Sequence, residues 1–109
     1  MLEDIHKRNS KKVSLDDRFT EGCVVKSVAG RDKDNLFLIF MLEGEYAYLT
    51  DGSIHKVESP KKKKIKHLEY CGENPNQKLH GKIVCGVMPE NAEIRKALKM
   101  FSDKEEVVS

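Results

Sequence analysis

Lys61, Lys62, Lys63 and Lys64, followed after Ile65 by Lys66, place five ammonium groups within six residues. Like charges at that density make a strong local field for anions, and a phosphate backbone that meets them gains free energy by releasing its condensed counterions. The ordinary explanation of a lysine run is a solvated tail or linker. This run instead stands between two stretches expected to be strands, where tails do not occur. Arg31 and Lys33, in the polar loop Gly30–Asn35, are a second candidate. There a planar guanidinium and an ammonium can clamp a backbone or reach into an RNA loop, whereas pairing with Asp32 and Asp34 is the bland alternative. Tyr46 and Tyr48 share one face of an expected strand. Their rings can stack on unpaired bases or simply cover one side of the core.

Other constellations lead nowhere. Cys71, His80 and Cys85 fall in one turn-rich segment, but their spacing matches no structural zinc pattern, so no metal or cofactor is expected. Cys23 and Cys85 sit among valines, as buried thiols do. There is no phosphate-binding glycine loop, no His-Glu-x-x-His and no nucleophile elbow. Asp16 and Asp17 are adjacent carboxylates on a stretch too polar to hold acid–base geometry. Nothing points to an enzyme.

Composition narrows the partner. The 109 residues carry 20 Lys and Arg against 18 Asp and Glu, and without the five lysines of the run 15 basic side chains remain. The electropositive footprint is therefore local and fits a defined anionic partner. Three cysteines without a CxxC spacing argue for a reducing compartment, and the cytoplasm is expected. The start Met-Leu-Glu-Asp-Ile-His lacks the order of a signal peptide. The longest apolar run, Leu36–Leu42, has seven residues, against the ~20 that span a bilayer, so no membrane partner is expected.

The elements that must position these residues begin at Glu21. Gly22 and Gly30 bracket a first strand with Cys23, Val24, Val25 and Val28 apolar. Four consecutive charges keep the Gly30–Asn35 loop out of the core. Leu36–Leu42, closed by Asn35 and by Glu43-Gly44, reads as a strand buried on both faces or an inner strand of a small barrel. Glu45–Thr50 alternates like a half-buried strand. Asp51-Gly52 is expected to form a type I′ hairpin turn into a returning strand, Ser53–Glu58, with a bulge between Ile54 and Val57. Ser59-Pro60 ends it, and Lys64–Tyr70 is expected to close the barrel. Cys71–Lys82 reads as turns throughout, and Ile83–Met88 as a short strand or packing segment. A helix is expected near 91–101, with Asn91 as N-cap, Glu93 in its first turn and Ile94, Ala97, Leu98 and Phe101 on one face. Ser102–Ser109 is expected to fray. Met1–Asp17, with Lys7-Arg8 and Lys11-Lys12, reads as a flexible or loosely docked arm.

GCVVKSVAGRDKDNLFLIFML resembles a KOW motif, the strand–loop–strand signature of several ribosomal proteins and transcription elongation factors. DGSIHKVESPKKKKIKHL is similar to the continuation of small KOW proteins found beside large-subunit ribosomal proteins. The resemblance runs from Glu21 to Leu68, with a weaker echo in AEIRKAL. Where that family commonly has a second glycine after the loop lysine, this chain has Asp34 and Asn35. The resemblance implies a mainly β fold: a small SH3-like barrel over residues 19–71 with a C-terminal α-helix, an arm over 1–18 and an extension over 72–109. It also implies a non-catalytic module for structured RNA such as ribosomal RNA, with ribosomal subunit proteins as further partners. The expected contacts are Lys26, Ser27, Arg31, Lys33, Lys61, Lys62, Lys63, Lys64 and Lys66. Phosphate contacts position without reading bases, so recognition by shape is expected. Two rivals stand beside it: a protein-docking module using Ile94, Leu98 and Phe101, and a dimer formed through the terminal helix.

Overall fold

The computed structural model describes residues 17–108, and the expected N-terminal arm before Asp17 lies outside them. Five strands, β1 (Val24–Ser27), β2 (Leu36–Glu43), β3 (Tyr46–Thr50), β4 (Lys61–Lys64) and β5 (Leu68–Gly72), form one antiparallel sheet in the order β4-β3-β2-β1-β5. Two helices follow, α1 (Gln77–Val84) and α2 (Asn91–Val108). The protein is mainly β, and its sheet is open, with β4 and β5 at the two edges.

The apolar run forms β2, and the first half of that strand is buried on both faces. Phe37 and Ile39 face inward with Cys23, Val25, Ala47, Leu49 and Leu68. Leu38 and Val24 face outward and are covered by Leu79, Ile83, Ile94 and Ala97 of the two helices. A strand buried on two faces needs no alternation, which accounts for Phe37–Ile39, whereas Met41 further along the strand is 41% exposed. Ladder irregularities at Val24/Val25 and at Ile39/Met41 bend the sheet.

The true hairpin joins β2 to β3. Glu43 pairs with Tyr46 across Gly44-Glu45, and Gly44 adopts φ +61°. Asp51-Gly52 is not a hairpin turn: Gly52 has φ +74°, but Asp51 is not at positive φ, as type I′ demands. The Asp51 carboxylate instead accepts from the amides of Ser53 at 2.9 Å and His55 at 2.8 Å. Those bonds fold residues 51–60 into a loop, so the expected strand Ser53–Glu58 does not form. Ile54 and Val57 break alternation because neither lies in a ladder: Val57 is buried and Ile54 is 80% exposed. The strand that returns beside β3 is the lysine run itself. A 3-10 turn, Ile65–His67, separates it from β5, so the expected continuous strand Lys64–Tyr70 is two elements.

Cys71–Lys82 is not turns throughout. Asn76 caps α1 by accepting from the Leu79 amide at 3.0 Å, and Leu79 and Ile83, one helical turn apart, are buried. Cys85 is exposed just past that helix, contrary to the buried thiol expected there. Helix α2 runs beyond the expected 101 to Val108, and Ile94 and Ala97 are buried with Leu98 and Phe101 packed beside them. Asn91 is its first residue rather than its cap, and its amide ties down the 51–60 loop: Oδ1 accepts from the Val57 amide at 2.9 Å and Nδ2 donates to Glu58 at 2.9 Å. Glu93 reaches back to the Glu90 amide at 3.0 Å and meets the Lys82 ammonium at 2.9 Å, which joins α1 to α2. The Glu90 amide and then the Lys82 ammonium hold the Glu93 carboxyl below its ordinary pKa.

Candidate nucleic-acid interface

Lysine has a low strand propensity, and the run becomes a strand because β3 offers it a ladder. Tyr46 pairs with Lys64, Ala47 with Lys63, Tyr48 with Lys62 and Leu49 with Lys61. An edge strand also favours lysine, whose charge discourages pairing with another chain. The period of two then divides the run into halves with different surroundings.

Lys61 and Lys63, opposite buried Leu49 and Ala47, take the inner side. The Lys61 ammonium lies 3.0 Å from Asp32 Oδ2, and His55 Nε2 lies 3.4 Å from Asp32 Oδ1. Lys63 donates to the Ala29 carbonyl at 3.0 Å. Both lysines thus secure the β1–β2 loop. Burial of Asp32 opposes its charge, but Lys61 and His55 outweigh that effect and hold the carboxyl below its ordinary value. The His55 ring stands 5.7 Å from that of Phe37, which connects the cluster to the core.

Lys62 and Lys64 take the outer side, opposite Tyr48 and Tyr46. The Lys62 ammonium lies 4.6 Å from the Tyr46 ring centre and 5.9 Å from that of Tyr48, and Lys64 lies 6.0 Å from Tyr46. At exposed sites such a contact contributes only about 0.5–1 kcal/mol, so the ammoniums are readily given up to a phosphate. Tyr48 donates to Glu43 at 2.8 Å, which raises its pKa.

The other expected contact residues divide as well. Arg31 and Lys33 are exposed on the loop that Lys61 and Lys63 secure, and Lys66 is exposed on the 3-10 turn. Ser27 is fully buried and donates to the Ala29 carbonyl at 2.9 Å, so its hydroxyl shapes the loop from within. Lys26 lies on β1, separated from β4 by two strands, near Asp34, Phe101 and Ser102. It is not brought to the run. Asp34 adopts φ +74°, the left-handed conformation that a glycine takes without strain.

Sequence reasoning named Asp32 only as a partner for Arg31 and Lys33, and missed that it pairs with Lys61 of the run and with His55 of the 51–60 loop. Cys71 lies in β5, Cys85 just past α1, and His80 against Gly22. Among the described residues no three His, Cys, Asp or Glu side chains gather as a metal site, and no helix is long and apolar enough to cross a membrane. Neither the protein-family models nor the curated proteins compared with the chain match it.

Proposed function

We propose that this chain is a non-catalytic RNA-binding module of the KOW type, acting in the cytoplasm on structured RNA such as ribosomal RNA. The observation that carries the reading is the junction of the lysine strand with the β1–β2 loop through Lys61–Asp32 and Lys63–Ala29. One rigid edge thereby presents Lys62, Lys64 and Lys66 beside the loop that bears Arg31 and Lys33. Five cations on a fixed frame suit a phosphate backbone, and up to five phosphates would give a salt slope of about −4.

An SH3-like barrel is the finer reading of the sheet, and the short connection between its edges supports it. Laid flat, five strands at about 4.8 Å spacing would separate β4 from β5 by about 19 Å. The three residues Ile65–His67 connect them in 3-10 form, at a rise of only about 2.0 Å per residue. The inward reach of Lys61 and Lys63 from β4, past β3, to the β1–β2 loop agrees with that curl.

The rival docking module has less of its expected face to offer, because Ile94 is fully buried and Leu98 and Phe101 are partly covered. Exposed apolar side chains stand elsewhere, among them Ile54, Val84, Val87 and Met88. Co-sedimentation of the protein with ribosomal particles from a lysate separates the two. An association released by ribonuclease and by salt supports the RNA reading, and one that persists through both belongs to protein docking.

A further inference from the structure

The outer face of β2, β3 and β4 beyond the helices has an ordered polarity. The helices cover Val24 and Leu38 but leave Tyr46 and Tyr48 half-exposed. Across the sheet, Glu43 and Met41 of β2 are paired with Tyr46 and Tyr48 of β3, and these with Lys64 and Lys62 of β4. The sequence of properties from strand to strand is acidic and apolar, aromatic, then basic. We propose that this face binds unpaired nucleotides, with bases stacked on Tyr46 and Tyr48 and the phosphate backbone along the β4 edge. The inference rests on the RNA-binding reading and names the form of RNA that the site takes.

Two residues of a strand set the tyrosines about 7 Å apart, far enough for each ring to accept its own base. The Lys62 ammonium now rests over both rings. It is an exposed side chain and its contact is weaker than a stacked base. An arriving nucleotide therefore takes the ring while Lys62 swings to the phosphate, and neither group loses a partner. Glu43 fixes the direction. Its carboxylate accepts from the Tyr48 hydroxyl on the side away from β4, so a phosphate is repelled there and attracted at Lys62 and Lys64. Met41, 41% exposed and paired with Tyr48, extends the apolar floor beneath a base. A duplex has its base faces covered and can use the lysines but not the rings. Edge protection alone explains the lysines but not the two partly exposed aromatic rings beside them.

The test uses the full chain, a ten-nucleotide oligouridylate and a ten-base-pair RNA duplex. The chain has three tyrosines and no tryptophan, so stacking is visible as quenching of tyrosine emission. The wild type is expected to bind oligouridylate more tightly than duplex and to be quenched by it. The double substitution Tyr46→Leu with Tyr48→Leu should weaken oligouridylate binding on the order of 10-fold and leave duplex binding unchanged. Tyr46→Phe with Tyr48→Phe should keep the affinity and lose the quench, since only Tyr70 remains; this pair decides the matter if the leucine pair does not fold. Duplex binding as tight as oligouridylate binding, or a Phe pair that is quenched like the wild type, overturns the stacking site and leaves the RNA reading standing. A wild-type chain that binds neither probe overturns both.

Discussion

At neutral pH the Asp32 carboxylate holds Lys61 at 3.0 Å and His55 at 3.4 Å, and so fastens a charged loop to an edge strand and to the Phe37 ring. Its pKa is lower in the folded protein than its ordinary 3.8, because the two partners outweigh burial. A carboxyl that is more acidic folded than unfolded stabilises the fold above its unfolded pKa, and the contribution is lost as pH falls through the folded value. The urea midpoint of Asp32→Asn is therefore expected below that of the wild type at pH 7. The gap should close below about pH 4. Glu58 and Glu93, also held acidic, are common to both proteins and cancel in the comparison. A gap that does not change with pH would mean that charge is not what holds the loop. Two residues on, Asp34 carries positive φ, a conformation that costs an L-residue about 1–2 kcal/mol. Asp34→Gly relieves that strain but adds freedom to the unfolded chain, so thermal melts should show it neutral to slightly stabilised. Asp34→Val should be clearly destabilised, since a β-branched residue resists that region more strongly.

Among the elements, β2 is the most legible in the sequence, because seven consecutive apolar residues between turn signals fit few other structures. Ile39→Ala is expected to cost about 2–5 kcal/mol in a urea melt, as truncation of a fully buried side chain does. A midpoint that barely moves would contradict its burial. The 51–60 loop misleads for a specific reason: Asp51-Gly52 is a strong hairpin signal, yet the Asp51 side chain captures the amides that a ladder would have used. Gly52 is needed there all the same. A β-carbon on it would strike the Asn91 carbonyl and crowd Ile94 at 3.0 Å, at φ +74°. Gly52→Val should destabilise by about 2–5 kcal/mol, and a melt unchanged by it would show that α2 does not press on the loop. Helix α1 is hidden by Gly81 and by the polar residues around it, although Asn76 and the Leu79–Ile83 spacing are legible signals. The lysine strand is not legible. Nothing in Lys61–Lys64 favours extended backbone; the free edge of β3 supplies the ladder, and that edge exists only in the fold. The tyrosine face shares this origin, since its exposure depends on where the helices stop.

Over the whole molecule, one sheet serves two layers: its inner face packs on itself, and its outer face is divided between two helices and an open stretch of tyrosine and lysine. The lysine run spans that division, with Lys61 and Lys63 securing the β1–β2 loop and Lys62 and Lys64 lying over the tyrosine rings of the open stretch. The claim that the run binds RNA through its outer half is tested most directly by the salt dependence of affinity for a structured RNA. The paired substitutions Lys62→Gln with Lys64→Gln and Lys61→Gln with Lys63→Gln are compared with the wild type. The outer pair should melt like the wild type, bind more weakly at low salt and show a log–log slope shallower by about 1.4–1.8, because two fewer phosphates are neutralised. The inner pair should lower the thermal midpoint. If the outer pair folds and binds with wild-type affinity and wild-type slope, these lysines protect an edge and nothing more, and the RNA-binding account is contradicted.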